Sequence, residues 1–211
     1  MLVRFIVLLI YWKSVGSNRR MINPPRFLEL LTAIISDLDP YGVGHSERVT
    51  RLSMQLARKA GFKDGTPEMD EIELAALMHD IGKIGIPESI RRMPGEYTFA
   101  ERIIMKQHTL IGVQYLEKAN GSISIKVKQY VQHHHEDWGG TGYPDRLEGE
   151  AIPLGARIIR ICDTYDALTH ERGYRRSKSN KDSIQEMIDQ QVRQPWADPS
   201  LFRLFLEMVK E

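Results

Sequence analysis

Thr66-Pro67-Glu68-Met69-Asp70-Glu71-Ile72-Glu73-Leu74-Ala75-Ala76-Leu77-Met78-His79-Asp80-Ile81-Gly82 reads as one helix and its stop. Thr66-Pro67 opens it, because proline is tolerated in the first helical turn, where its missing N–H is not needed. Ile72, Leu74, Ala75, Leu77, Met78 and Ile81 recur at helical spacing, not in the alternation of a half-buried strand. Gly82 ends the run. The pattern on either side is the same. Val49, Leu52, Leu56 and Ala60 form one stripe over about residues 45–60, closed by Gly61. Upstream, Asn23 caps a helix that starts at Pro24-Pro25 and carries Phe27, Leu28, Leu31, Ile34 and Ile35. Downstream, Thr98-Phe99-Ala100-Glu101 spells a capping box whose helix is expected to reach about Leu116. Further helices are expected over 124–135, 154–168, 181–192 and 199–209, the last capped by Asp198. The glycines and prolines of 136–153 make that stretch a loop. No run of alternating strands and no internal repeat interrupts this order, so the fold class is all-α.

The chain has 211 residues with 29 Lys plus Arg against 28 Asp plus Glu, a net charge of +1. That balance argues against a nucleic-acid or membrane-surface binder, which carries a basic excess. A content of 42% hydrophobic and 27% charged residues is that of a globular domain and excludes disorder of the whole chain. The single Cys162 excludes an internal disulfide and fits a reducing compartment, so a cytoplasmic location is expected. Residues 1–22 stand apart from the domain expected over 23–211. Leu2 to Trp12 is apolar except for Arg4, and is too short for a spanning helix of roughly 20 residues. It reads as a packing segment or the stub of an upstream region. A signal peptide or an interfacial membrane anchor would have a similar pattern.

The chemistry lies at helix ends and loop edges, in His45, His79-Asp80, His108, His134-His135 and Asp163. Any one of these is ordinarily a surface histidine or a core histidine bonded to a carbonyl. Together they are harder to explain so. Asp80 ends a strongly apolar helix, and Asp163 stands in Arg157-Ile158-Ile159-Arg160-Ile161-Cys162-Asp163. A carboxylate in such a setting needs a partner. Imidazoles and carboxylates without thiolates suit iron, manganese or zinc better than magnesium or calcium. Seven ligands are too many for one tetrahedral ion, and one carboxylate can bridge two. Two metals about 3.5–4 Å apart are a standard device for hydrolysing phosphate esters.

The same residues carry a family resemblance. The chain resembles the HD-GYP domains, the cyclic-di-GMP phosphodiesterase branch of the HD superfamily. The matching text includes Gly44-His45-Ser46-Glu47-Arg48-Val49, Leu77 to Pro87 around His79-Asp80-Ile81-Gly82-Lys83, and Met105-Lys106-Gln107-His108. It continues through His134-His135-Glu136-Asp137-Trp138-Gly139-Gly140-Thr141-Gly142-Tyr143-Pro144 and Ile152 to Ile158. Asp163-Thr164-Tyr165-Asp166-Ala167-Leu168-Thr169 and Arg172-Gly173-Tyr174-Arg175 complete it, with a trace at Asp198-Pro199. The resemblance runs from about Phe27 to the C-terminus.

It implies an HD-domain helical bundle with a C-terminal GYP-type helical extension. It implies metal ligands at His45, His79, Asp80, His108, His134, His135 and Asp163, with Asp80 as the bridge. The cofactors would be two divalent ions, iron first and manganese second, and their bridging hydroxide would attack phosphorus. Lys83 would sit near the scissile phosphate, Arg172 and Arg175 would hold phosphates, and Gly142-Tyr143-Pro144 would shape the substrate side. The implied reaction takes cyclic di-GMP to linear pGpG, and on to GMP if the second ester is also cut. A diguanylate-cyclase (GGDEF) or regulatory partner would dock on the GYP loop.

Three positions depart from the family pattern. Tyr41 stands where some members place a glutamate that binds a third metal, so two ions are expected. Gly139 replaces an acidic or amide residue, which is expected to loosen its loop. Gly173 replaces the proline usual between the arginine and the tyrosine. His133 has no role in the motif register, and His170 reads as a surface residue. Two other readings stay open: an HD-type hydrolase of another nucleotide, and a sensor that binds the nucleotide or a partner without catalysis.

Overall fold

In the computed structural model, residues 44–93, 95–118, 123–170 and 177–209 are described. The helix expected from Pro24-Pro25, the apolar N-terminal run, Tyr41, and Arg172 to Arg176 lie outside them. The described residues form helices and loops, with one isolated bridge between Gly139 and Glu148 as their β-type pairing. In chain order the helices are α1 (His45–Lys59), α2 (Pro67–Met78), α3 (Glu88–Arg91), α4 (Phe99–Lys106) and α5 (His108–Lys118). They continue with α6 (Ile125–His133), α7 (Leu154–Thr169), α8 (Asn180–Arg193) and α9 (Pro199–Met208). Short 3₁₀ turns occupy Ile81–Gly85 and Gly149–Ala151.

The centre of the bundle is α2 with α7. Met69, Ile72, Leu74, Ala75, Ala76 and Met78 of α2 are all buried, so this helix is apolar on most of its circumference, as an enclosed helix must be. In α7, Ile158, Ile159, Ile161 and Cys162 have no exposed surface. The α1 stripe of Val49, Leu56 and Ala57 packs on both, α6 closes the opposite side of α2, and α8 and α9 cover α7. The helix starts are capped as their sequences demand. Thr66 accepts from the Met69 N–H, Thr98 and Glu101 form a reciprocal capping box, and Asp198 accepts from Ser200 and Leu201.

Two boundaries differ from expectation, and both differences shape the site. The helix expected to continue to Ile81 ends at Met78, and the chain tightens into the 3₁₀ turn at Ile81–Gly85. The single helix expected from Thr98 to Leu116 is two helices, α4 and α5, parted at Gln107. Apolar spacing carries across that break, which is why the sequence pattern conceals it. The reason for the turn is close approach. A Cβ placed on Gly82 would lie 1.8 Å from the His108 carbonyl oxygen and 2.4 Å from the Gly112 nitrogen. Backbone lies against backbone where the turn meets the first turn of α5, and only glycine permits it.

Candidate metal centre

The seven side chains marked out in the sequence converge at one place in the bundle. They fall into two groups of mutually close ligand atoms: Asp80, His108, His134 and His135, and beside them His45, His79 and Asp163. All are buried except His135, which is half-buried. Asp80 stands between the groups and offers one oxygen to each. Its Oδ1 lies 3.4 Å from His108 Nε2, while its Oδ2 lies 3.3 Å from His79 Nε2 and 3.7 Å from His45 Nε2. Asp163 Oδ1 is 3.2 Å from His45 Nε2.

The backbone aims three of the imidazoles. His79 and His134 sit just past the ends of α2 and α6, and His108, the first residue of α5, lies two residues beyond the end of α4. Each donates Nδ1–H to the carbonyl three residues earlier. The acceptors are Ala76 at 2.8 Å, Met105 at 2.8 Å and Val131 at 2.7 Å. A helix end leaves such carbonyls without an intrahelical partner, so one bond satisfies the helix and fixes the ring. A carbonyl can only accept, so the proton resides on Nδ1 and the Nε2 lone pair faces the cluster. His45 is held differently: its Nδ1 donates to the Asp166 carboxylate at 2.7 Å.

This arrangement sets acceptors against acceptors. His108 Nε2 and His134 Nε2 lie 3.4 Å apart with both lone pairs turned inward. Among the described residues the buried Nε2 of His79 has no hydrogen-bond partner, and it faces a carboxylate oxygen. Burial pushes the pKa of His108, His134 and His135 down, so protons are not what relieves these contacts. Burial would raise the pKa of Asp80, but the Lys83 ammonium and His79 hold it well below the usual carboxylate range. Asp163 is likewise held low against its burial, chiefly by the neighbouring His45. Neutral imidazole lone pairs and ionised carboxylates pointed at one another are the donor set of a divalent cation, so these residues fit a metal.

Lys83 lies at the edge of the cluster, its Nζ 2.7 Å from Asp80 Oδ2. On the opposite side the loop after α6 folds back. Tyr143 stacks on His135 with ring centroids 4.8 Å apart, and the ammonium of Lys106 lies 4.7 Å from the Tyr143 ring centre. Gly142 makes that fold-back possible, since a Cβ there would lie 2.3–2.5 Å from backbone atoms of residues 135–137. Its part is therefore to let the loop close. Pro144 follows through a cis peptide bond. Buried Glu136 clasps the loop by accepting from the N–H groups of Asp145 and Leu147. Gly139 does not loosen it. The Gly139 N–H donates to the Pro195 carbonyl at 2.7 Å, and a Cβ would meet Pro195 at 2.9 Å, so this glycine pins the loop to the segment before α9.

His133 points away from the cluster. Its Nδ1 bonds the Gln129 carbonyl and its Nε2 lies 2.9 Å from Asp145 Oδ2. His170 is partly exposed and pairs with Asp166. Arg172 and Arg175 lie outside the described residues. Two contributors escaped the sequence reading, Asp166 behind His45 and Glu136 within the loop. The signal available for Asp166 was its i, i+3 spacing from Asp163, which puts both acids on one face of α7.

Comparison with known proteins places this geometry among relatives. The model of the HD domain family matches residues 29–201. A cyclic di-GMP phosphodiesterase of Thermotoga maritima is 35% identical over 184 residues, covering 87% of this chain and 49% of that protein. A 3'3'-cGAMP-specific phosphodiesterase 2 of Vibrio cholerae is 36% identical over 163 residues, covering 77% of this chain and 30% of its own. The chain thus spans about half or less of the length of these curated relatives. In fold, it superposes on the crystal structure of a cyclic GMP-AMP specific phosphodiesterase from V. cholerae with a TM-score of 0.64. That match has 21% identity and covers 87% of this chain and 48% of the other.

Proposed function

The chain belongs to the HD domain family, with the HD-GYP pattern, and on that premise we propose that it is a metal-dependent phosphodiesterase of cyclic dinucleotides. The observation that carries this reading is Asp80, with one oxygen turned to each of two groups of inward-facing donors. Cyclic di-GMP is the substrate we assign, with pGpG as product and residues 23–211 as the catalytic domain.

His108, His134, His135 and Asp80 would hold one ion, and His45, His79, Asp163 and Asp80 the other. On the HD-GYP resemblance we assign iron first and manganese second, both of which imidazole and carboxylate donors accept. When bound, such ions stabilise charge on a phosphoryl oxygen and acidify the attacking water. Water attacks phosphorus, the bond from phosphorus to the 3′ oxygen breaks, and the product keeps a 5′ phosphate. The chain's own groups do the rest. Lys83 Nζ, carried next to Asp80, is placed to donate a proton to the leaving 3′ oxygen or to face charge growing on the phosphorane. The backbone carbonyls behind His79, His108 and His134 keep those rings from turning as charge moves. Arg172 and Arg175 are assigned to the phosphates, where a cationic donor is required. The Tyr143 ring on His135 walls off one side and keeps bulk water from that imidazole.

Metal analysis of anaerobically purified protein, with chromatography of the products from cyclic di-GMP, tests this. About two ions per chain together with pGpG are expected. Two ions with no product would replace the enzyme with a nucleotide sensor or a docking module for a cyclase partner. The V. cholerae relative named for 3'3'-cGAMP favours a second substrate reading, in which one guanine is replaced by adenine. Competition between the two dinucleotides in one reaction decides between them.

A further inference from the structure

Among His45, His79, His108 and His134 of the donor cluster, His45 has its Nδ1 against a carboxylate, while the other three have theirs against backbone carbonyls. That carboxylate is Asp166. Its side chain is 2% exposed, and it lies one helical turn beyond Asp163 on α7. Asp163 faces the donor cluster while Asp166 faces the back of the His45 ring. Asp166 Oδ2 accepts from His45 Nδ1 at 2.7 Å and from a terminal nitrogen of Arg48 at 3.0 Å. Its Oδ1 accepts from Arg48 Nε at 2.7 Å and lies 3.1 Å from His170 Nδ1. Three cationic or donating groups therefore fix one buried acid, and the acid fixes the ring.

We propose that Asp166 is a positioning residue for the His45 side of the metal centre. It holds the proton on Nδ1, turns the Nε2 lone pair into the group with His79 and Asp163, and makes His45 a stronger donor than its carbonyl-backed neighbours. This rests on the metal-centre reading above. The physical reason is that an anion behind an imidazole raises electron density on the opposite nitrogen more than a neutral carbonyl does. Arg48 anchors Asp166 bidentately, so the carboxylate cannot swing into the cluster and act as a ligand itself. The two ion positions are consequently unequal, because a carboxylate backs His45 in one, whereas backbone carbonyls back His108 and His134 in the other.

The test is metal binding to the chelator-stripped chain, followed by titration with Mn²⁺ alone. Asp166→Asn keeps an acceptor but removes the charge. It should weaken one ion by roughly 10- to 100-fold and leave the other unchanged. In a His45→Gln background the same change should have no further effect on ion affinity, since Asp166 acts through His45. Equal weakening of both ions, or additive losses in the double variant, would show a general structural role and overturn the proposal. Nitrogen-15 spectra of wild-type histidines give a second readout that needs no variant. His45 should carry its proton on Nδ1 before metal is added, and a proton on Nε2 would overturn the assignment. A wild-type chain that binds no metal ion would instead defeat the metal-centre reading, an outcome distinct from either.

Discussion

Replacing Gly82 with alanine should break the metal centre through packing alone. The added Cβ would lie 1.8 Å from the His108 carbonyl oxygen, 2.4 Å from the Gly112 nitrogen and 2.8 Å from the His108 carbonyl carbon. Real Cβ contacts stay beyond about 3 Å, so the 3₁₀ turn and α5 must part by more than about 1 Å. All three obstacles are backbone, and no rotamer change relieves them. His108 sits on the displaced helix and faces Asp80 across 3.4 Å, whereas metal–ligand distances tolerate only about 0.2 Å. Overpacking of this kind costs about 1–3 kcal/mol, and a backbone clash belongs at the upper end. For a chain of this size about 3 kcal/mol lowers Tm by roughly 6–12 °C. Gly85 supplies the contrast, because its added Cβ would meet the γ2 methyl of Ile111 at 2.8 Å and the tip of that side chain at 3.3 Å, side-chain atoms and not backbone. Thermal melts of the metal-free proteins and metal content after reconstitution measure both effects. If Gly82→Ala melts and loads metal like Gly85→Ala, the close-approach argument is wrong.

Three further outcomes are expected. Metal-free protein should lose stability on acidification, first through its buried imidazoles. His108, His134 and His135 are held below the ordinary 6.5, so as pH falls past that value the unfolded chain gains protons the native state refuses. Urea midpoints should be level above about pH 7.5 and fall toward about pH 5, and a flat profile would contradict the burial argument. Asp80 and Asp163, held low, add stability that persists to far more acid pH. His134→Ala should remove bound metal and activity, whereas His133→Ala should retain both, since His133 bonds Gln129 and Asp145 away from the cluster; a reversed order in metal content would count against that assignment. Lys83→Ala should lower kcat with little change in KM, while Arg172→Ala should raise KM by roughly 10- to 150-fold, the effect of losing one charge-assisted phosphate contact of about 1.5–3 kcal/mol. Steady-state kinetics at saturating metal separates the two, and unchanged affinity in Arg172→Ala would remove its phosphate role.

The helical period was legible because burial imposes it: α1 and α6 to α9 lie within a residue or two of where their apolar stripes put them, and α2 begins where expected but stops three residues short, at Met78. The break at Gln107 was not, since Ile104, Leu110 and Ile111 keep the stripe running across it while the chain turns. The convergence of His45, His79, Asp80, His108, His134, His135 and Asp163 was suggested by residue type, as acids among apolar residues require partners. What a sequence does not display is which face of α7 meets α1. Asp166 therefore looked like part of a motif and not like the support for His45. Gly82 and Gly142 posed the same difficulty in another form. Both stand beside chemical residues, and both are glycine because another stretch of backbone, remote from Gly82 and adjacent to Gly142, occupies the space of a side chain.

The ligand side chains also form a connectivity pattern along the polymer. They enter from five points, each roughly thirty residues from the next, and they meet at one node. Cys162 is the chain's only cysteine and is buried, so no internal covalent cross-link joins those points. An ion cluster at the node would close four successive loops at once, each of a length whose closure entropy is substantial in the unfolded chain. Because the same side chains are tied to the ends of α2, α4 and α6, tension at the node is passed directly into three helices. On the metal-centre reading, the ions that serve hydrolysis are also the cross-link of the domain, so loading with metal and resistance to unfolding rise and fall together.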